Sequence, residues 1–368
     1  MSTPRTGRRR RLWAVGITVP LLLVASCTGP GPASPSASAP GPSATPAGTP
    51  TTTPAATPTT LPPGAFTSKL RIPSFTGTCP AATVPAVSGR TVVIPLHILT
   101  PSAVISQLFV GVCLDGHGPY PFIIDTGSNQ TYVDAALARQ LELISAAAAS
   151  RLHTTTCNGP EQPVAVRLSA GPYVFAGDTK VLVTALASRS APLMGILGAA
   201  ELSRLGIDRI DYRAQTLSVP APTAPAAGAA ALATLSAGTV HRISLHPSGA
   251  FQLLPVTVGK ERGELALDTG AQGTALTPAF ARQAQLARSS NVTTQTYASL
   301  GCTRPVSYYA TRTWSIGAVA LAPQTVGVVP NLLVADGSLG SGTLQRYSPI
   351  VIDYQDEELL LGPLRPAG

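Results

Sequence analysis

Two aspartates stand in the same short context: Asp125 in "FIIDTGSNQT" (Phe122–Thr131) and Asp268 in "LALDTGAQGT" (Leu265–Thr274). In each, three apolar residues run into Asp-Thr-Gly, the pattern of a strand ending in a turn. One such tripeptide carries little, because an aspartate at a strand end often serves only to bond its own backbone. A pair of carboxyls is different. Held about 3 Å apart, two carboxyls share one proton, so the ionised member can deprotonate a water while the protonated member donates to a carbonyl oxygen. That chemistry is hydrolytic, and it requires the chain to bring two distant segments together.

The residues downstream of each aspartate repeat as well. "MGILGAAELSRLGIDRIDYRAQTLSV" follows Asp125, and "DGSLGSGTLQRYSPIVIDYQDEELLLG" follows Asp268. From Asp125 to Gly195 is 70 residues and from Asp268 to Gly337 is 69; Gly198 to Asp211 and Gly340 to Asp353 are both 13. The two aspartates are 143 residues apart, so the chain is read as a duplication with two lobes. This repeat also accounts for the Gly-rich "DGSLGSG", which lacks the lysine and the strand-loop-helix setting of a phosphate loop.

Within each lobe the pattern is mostly strand. "SQLFVGVCLDG" and "PYPFIIDTG" predict a hairpin turning at "DGHGP"; in the second lobe "FQLLPVTVGKERGELALDTG" predicts its counterpart, turning at Lys260 to Gly263. Short helices are expected in "YVDAALARQLEL" and in "TPAFARQAQLA", the latter capped by Thr277 with Pro278 at its first position. A further hairpin is expected in "LHTTTCNGPEQPVAVRL", turning at Asn158-Gly159, with a less regular counterpart in "TTQTYASLGCTRPVSYYATRTW".

These elements resemble the aspartic proteases, both the retroviral type and the two-lobed pepsin type, over roughly Ala103 to Gly362. The resemblance rests on the two Asp-Thr-Gly-Ser/Ala segments and on an apolar-apolar-Gly triplet after each, Ile196-Leu197-Gly198 and Ser338-Leu339-Gly340. It implies a mostly β fold: two pseudo-symmetric, aspartic-protease-like β-barrel lobes with short helices and a cleft between them. By resemblance Asp125 and Asp268 are the catalytic pair of an endopeptidase. Thr126 and Thr269 bond across the lobe interface, Gly127 and Gly270 let backbone amides approach the carboxylates, and Ser128, Ala271, Gly198 and Gly340 complete the two loops. No metal or other cofactor is implied. The partners are an extended peptide or protein substrate and, through a lipid, a membrane; both aspartates lie on one chain, so a monomer is expected.

The second copy departs from the family at Ser338, which stands at an apolar position and is expected to weaken packing without touching a catalytic atom. A second asymmetry lies beside the aspartates. Ser128 follows the first Asp-Thr-Gly and Ala271 the second, so only Asp125 is expected to gain a hydroxyl hydrogen bond, leaving Asp268 to hold the shared proton. Tyr297, Tyr308 and Tyr309 lie around the second hairpin, where in the family a flap folds over substrate; the first hairpin has no tyrosine.

The remaining composition describes an exported protein. The chain has 25 Lys+Arg against 17 Asp+Glu, but five arginines fall in the first 26 residues, leaving 20 basic against 17 acidic residues elsewhere. No basic stripe remains for a nucleic acid. Residues 1–26 are read as a signal peptide: a basic "RTGRRRR", an apolar "LWAVGITVPLLLVAS" too short to span a bilayer, and Val24-Ala25-Ser26-Cys27, which resembles the lipobox of bacterial lipoproteins. Cys27 is then the lipidated residue, and the protein is expected at the outer face of the cell membrane. Residues 27–66, rich in Pro, Ser, Thr and Ala, are expected to form a tether, 67–219 the first lobe with an N-terminal extension, 220–238 a linker and 239–368 the second lobe.

Export favours disulfides for the other four cysteines, Cys79, Cys113, Cys157 and Cys302, with three possible connectivities. Cys157 and Cys302 follow their aspartates by 32 and 34 residues, so the family's flaps would carry both near their tips. A Cys157–Cys302 bridge joining the flaps leaves Cys79–Cys113 to staple the extension to lobe one. A catalytically silent peptide-binding lipoprotein on the same scaffold is the alternative reading.

Overall fold

Asp125 and Asp268 each end a strand whose apolar residues, Phe122 and Ile124 in one and Leu265 and Leu267 in the other, are buried in a core. A computed structural model describes residues 72–80, 91–102, 105–152, 160–186, 193–219, 240–289, 295–299, 302–330 and 335–364. Their structure is mostly strand, in two lobes.

In lobe one, six strands close a barrel. Their order is Ile105–Leu114, His117–Asp125, Gly195–Gly198, Tyr132–Asp134, Tyr173–Thr184 and Gln162–Ala170, and the last pairs back onto the first through Val112↔Ala170 and Leu114↔Leu168. Every residue of Ile105–Leu114 is buried. Leu108, Val110, Val112 and Leu114 face the core, together with Phe122, Ile124, Val181 and Val183. Over the opposite face lies the N-terminal extension, where a Cβ added at Gly111 would sit 3.0 Å from Phe75. Cys79 is disulfide-bonded to Cys113, as expected, across a separation of 34 residues. Replacing both cysteines by serine is expected to cost about 3–4 kcal/mol of stability, because the cross-link restricts a loop of that length in the unfolded chain. An unchanged urea midpoint under oxidising conditions would contradict this.

Lobe two is a half-barrel. Its main path runs Ala287–Arg288, Cys302–Ala310, Thr325–Val328, Ala275–Leu276, Gly337–Gly340, Glu261–Asp268, Phe251–Val258, Trp314–Ile316 and Val319–Leu321. Where lobe one closes through Gln162–Ala170, the edge of Phe251–Val258 is taken by Trp314–Ile316, with Val256 opposite Ile316. Just past Cys302–Ala310, the Thr311 hydroxyl donates to the Gln324 carbonyl at 3.0 Å, extending that strand's pairing with Thr325–Val328.

A six-stranded antiparallel sheet joins the lobes: His241–Ser244, Glu358–Leu361, Ile350–Asp353, Ile207–Asp211, Thr216–Val219 and Val92–Ser102. Its central pairing is Ile350–Asp353 against Ile207–Asp211. The repeated "IDY" of the two halves forms the same turn twice. Asp211 Oδ1 accepts from the amides of Arg213 and Ala214, and Asp353 Oδ1 from those of Gln355 and Asp356, each at 3.0 Å.

The local expectations are mostly met. Asp115-Gly116 turns the first hairpin, with Leu114 opposite His117. The second turns at Gly259-Lys260 rather than Lys260 to Gly263, since Val258 already pairs with Glu261. Thr277 caps helix Pro278–Gln283, its Oγ1 accepting from Phe280 N at 3.2 Å. The first helix is shorter than expected, Ala135–Gln140: Tyr132–Asp134 is strand, and Asp134 is the cap. The hairpin of the second flap is present as Gln295–Ser299 against Cys302–Ala310. The first flap's expected turn at Asn158-Gly159, Cys157, the linker 220–238 and the anchor and tether before residue 72 lie outside the described residues. Tyr308 is fully buried, an ordinary strand aromatic, and Tyr309 is partly so.

Candidate active site

Parallel pairing within each lobe sets the two aspartates. Asp125 lies opposite Gly198 and Asp268 opposite Gly340. Neither glycine leaves room for a side chain: a Cβ at Gly198 would lie 2.0 Å from Gln130 O, and one at Gly340 2.3 Å from Gly273 O. The loop after each aspartate therefore folds directly onto the strand of its own triplet.

The loops then meet across the lobe interface through the threonines. Thr126 N donates to Thr269 Oγ1 at 3.1 Å, and Thr269 N to Thr126 Oγ1 at 3.0 Å. Each hydroxyl donates in turn to the other lobe's strand, Thr126 Oγ1 to Leu267 O at 2.7 Å and Thr269 Oγ1 to Ile124 O at 3.0 Å. Both threonines are buried, so every amide and carbonyl in this crossed set would be orphaned without its partner. Thr126→Val is expected to destabilise the chain by about 3 kcal/mol, since it strands the Thr269 amide and the Leu267 carbonyl, while Thr126→Ser should restore most of the loss. Equal urea midpoints for Val and Ser variants would refute that assignment.

This crossing brings the carboxyls together. A Cβ at Gly127 would lie 2.4 Å from Asp268 Cγ, and one at Gly270 2.1 Å from Asp125 Cγ. Each aspartate is thus backed by the glycine of the opposite loop, and the two carboxyls are hydrogen-bonded to each other. Gly127 N donates to Asp125 Oδ1 at 2.9 Å and Ala271 N to Asp268 Oδ1 at 2.8 Å. Burial, and then the charge of Asp268, hold Asp125 well above the usual carboxylate range. Burial also raises Asp268, against the opposing pull of the Ala271 amide, the Asp125 carboxyl and the Ser338 hydroxyl. One proton is thereby shared between the two carboxyls.

The hydroxyl bond expected from Ser128 is not made. The Ser128 hydroxyl donates to Gln130 O at 3.1 Å, closing its own turn. That outcome depends on where a hydroxyl points, which residue type alone does not specify.

Beneath each loop a threonine holds the following strand. Thr131 Oγ1 accepts from Gly198 N at 3.1 Å and donates to the Glu201 carboxylate. Thr274, its counterpart, accepts from Gly340 N at 3.4 Å and pairs with Thr343 at 2.8 Å. Other supports had no recognised signal. Gln107 Nε2 donates to Gly270 O at 3.2 Å, and Tyr212 OH donates to Ser341 Oγ, which donates to Thr269 O at 2.8 Å. Tyr132 also stands beside the site. Its hydroxyl donates to Asn129 Oδ1 at 3.4 Å, and burial, followed by the charge of the Glu161 carboxylate, pushes it up to about 12. A tyrosine thus stands in the strand after the loop, although the sequence of the first expected hairpin holds none.

A family model described as aspartyl protease matches the chain twice, over residues 110–200 and 254–343. The chain belongs to the aspartyl protease family. Each match in this aspartyl protease chain contains one aspartate, its loop and the strand that backs it, so the duplication read from the spacing is a duplication of the family's own unit. A comparison with curated proteins found no match.

Proposed function

We propose that this chain is an active aspartic endopeptidase with Asp125 and Asp268 as its catalytic pair. The observation that carries the reading is the pair of half-buried carboxyls, hydrogen-bonded to each other and held by four crossed threonine bonds. A binding scaffold has no need to keep two carboxyls desolvated against one another, a costly arrangement that acid-base chemistry uses.

In the proposed reaction a substrate water lies between the carboxyls. The ionised carboxylate of the pair takes its proton as the water oxygen attacks the peptide carbon, and the protonated partner gives its proton to the carbonyl oxygen. The resulting tetrahedral diol collapses when the first carboxyl passes a proton to the amide nitrogen and the second recovers one from a hydroxyl. The C–N bond then breaks, releasing an amine and a carboxylic acid. The chain's own groups supply every proton transfer, and Gly127 and Ala271 amides steady the carboxylates throughout.

We further propose that the substrate is an extended peptide or protein segment, that one chain suffices, and that lipidated Cys27 holds the enzyme at the outer face of a bacterial membrane. The lipobox-like Val24–Cys27 and the uncharged tether support this placement. The test is incubation of the full chain with a diverse peptide library from pH 3 to 7. Defined cleavage sites are expected; a folded chain that cleaves nothing at any pH would leave the peptide-binding reading.

A further inference from the structure

We propose that Glu201 is a positioning residue for Asp125: by taking the Thr131 hydroxyl proton in a buried hydrogen bond, it turns that oxygen's lone pairs toward the Gly198 amide and so fixes the loop on which Asp125 stands. The consequence for turnover rests on the peptidase reading; the bonds and their hold on the loop do not.

Thr131 is where the loop after Asp125 is tied down. Its carbonyl accepts from Leu182 N at 2.9 Å, and its Oγ1 accepts from Gly198 N at 3.1 Å. Gly198 is the residue paired opposite Asp125, and Ser128 O, in the same loop, accepts from Ala199 N at 2.7 Å. A hydroxyl has one proton to give. Thr131 gives it to the Glu201 carboxylate, so its oxygen meets Gly198 as an acceptor. Thr131 is fully buried and Glu201 is 5% exposed, so bulk water does not replace the carboxylate.

Lobe two builds the same support from neutral groups. Thr274 follows Asp268 by six residues as Thr131 follows Asp125, and Thr343 follows Gly340 by three as Glu201 follows Gly198. There Thr274 Oγ1 accepts from Gly340 N at 3.4 Å and pairs with Thr343 Oγ1 at 2.8 Å, while Gln324 Nε2 donates to Thr343 Oγ1 at 2.9 Å. Either threonine of that pair can be the donor. An ionised carboxylate only accepts, so in lobe one the direction is fixed, and the support of Asp125 depends on a group that titrates.

Acid reverses the donation. A protonated Glu201 has a proton of its own to give to the Thr131 oxygen, where it competes with the Gly198 amide. Burial raises Glu201 from its ordinary value, against the pull of the Thr131 hydroxyl and the Arg204 guanidinium, so the support is complete near neutrality and loosens as pH falls. Two elements pack against the helix Ala199–Leu202: the strand Gly195–Gly198, which carries no charge, and the turn Ser203–Leu205, which carries Arg204. Arg204 is held independently by Ala176 O at 2.8 Å and Thr179 Oγ1 at 3.4 Å, with Tyr173 and Asp208 in the field around it. Across Gly198 stands the aspartate pair itself.

The decisive measurement follows the Gly198 amide by nitrogen-proton NMR of the full chain from pH 4 to 8. Wild type should show a step for Glu201 besides that of the aspartate pair. Glu201→Gln, whose side-chain oxygen accepts the Thr131 proton without titrating, should keep only the step of the pair. Glu201→Leu removes the acceptor, and is expected to speed hydrogen exchange at the Gly198 amide at least about tenfold, with Glu201→Gln restoring most of the protection. On a library-derived peptide, kcat for Glu201→Leu should fall at least about tenfold with KM little changed, because a displaced carboxyl costs turnover more than binding. Identical titrations of Gly198 in wild type and Glu201→Gln overturn the proposal, as does unchanged exchange in a folded Glu201→Leu chain. Should Glu201→Leu fail to fold, the Glu201→Gln titration decides alone. Absence of wild-type cleavage would strike the peptidase reading, while titration and exchange would still decide the role of Glu201.

Discussion

Asp125→Asn and Asp268→Asn are each expected to lower kcat/KM on a library-derived peptide by at least about 10³-fold, and the double variant to be no worse than either alone. An amide neither accepts a proton from water nor donates one at useful acidity. Either replacement therefore removes both the sharing of the proton and the division of labour it creates. The losses should not add, because the two carboxyls act as one unit with one proton between them. Folding is expected to survive, since the Gly127 and Ala271 amides still find a side-chain oxygen and the crossed threonine bonds are untouched. The kinetics are read alongside the urea midpoint. Retained turnover in a folded Asp268→Asn chain would remove Asp268 from the mechanism.

A second large effect is expected far from the pair. Asp208, in the central pairing of the interlobe sheet opposite Ile352, is 1% exposed. Tyr354 OH donates to its Oδ2 at 3.2 Å, and its Oδ1 has no partner. Burial outweighs that one bond and pushes the carboxyl up to about 8 from an ordinary 3.8. The sign of the effect follows. Below the unfolded value both states are protonated and no penalty applies; between the two values only the unfolded chain ionises, so stability falls as pH rises; above about 8 the loss is complete. At pH 7 the span is about three pH units, or about 4 kcal/mol. Asp208→Asn keeps an acceptor for Tyr354 and cannot ionise. The variant should match wild type near pH 4 and exceed it by a few kcal/mol at pH 7, as measured by urea unfolding across that range. A difference between the two chains that stays constant with pH would rule out titration of Asp208. The sheet that joins the lobes is thus firmest under mildly acidic conditions, where a carboxyl pair sharing one proton is also competent.

The two Asp-Thr-Gly segments, the matched spacings after them and the two lobes were legible in the sequence because a duplication leaves its mark on residue order, and because Asp, Thr and Gly have few substitutes at these positions. Gly127 and Gly270 stand where any Cβ would strike the opposite carboxyl, and Thr126 and Thr269 must each both donate and accept. Local signals were equally plain where one residue does the work, as at the Thr277 cap. The tertiary structure alone decided what depends on the direction of a side chain or on contact between distant segments. It turned the Ser128 hydroxyl toward Gln130. It brought Gln107 to the Gly270 carbonyl across the lobe interface and buried Asp208 at the seam between halves. A serine reads the same in sequence whichever acceptor it finds. Only the fold around it determines which acceptor it reaches.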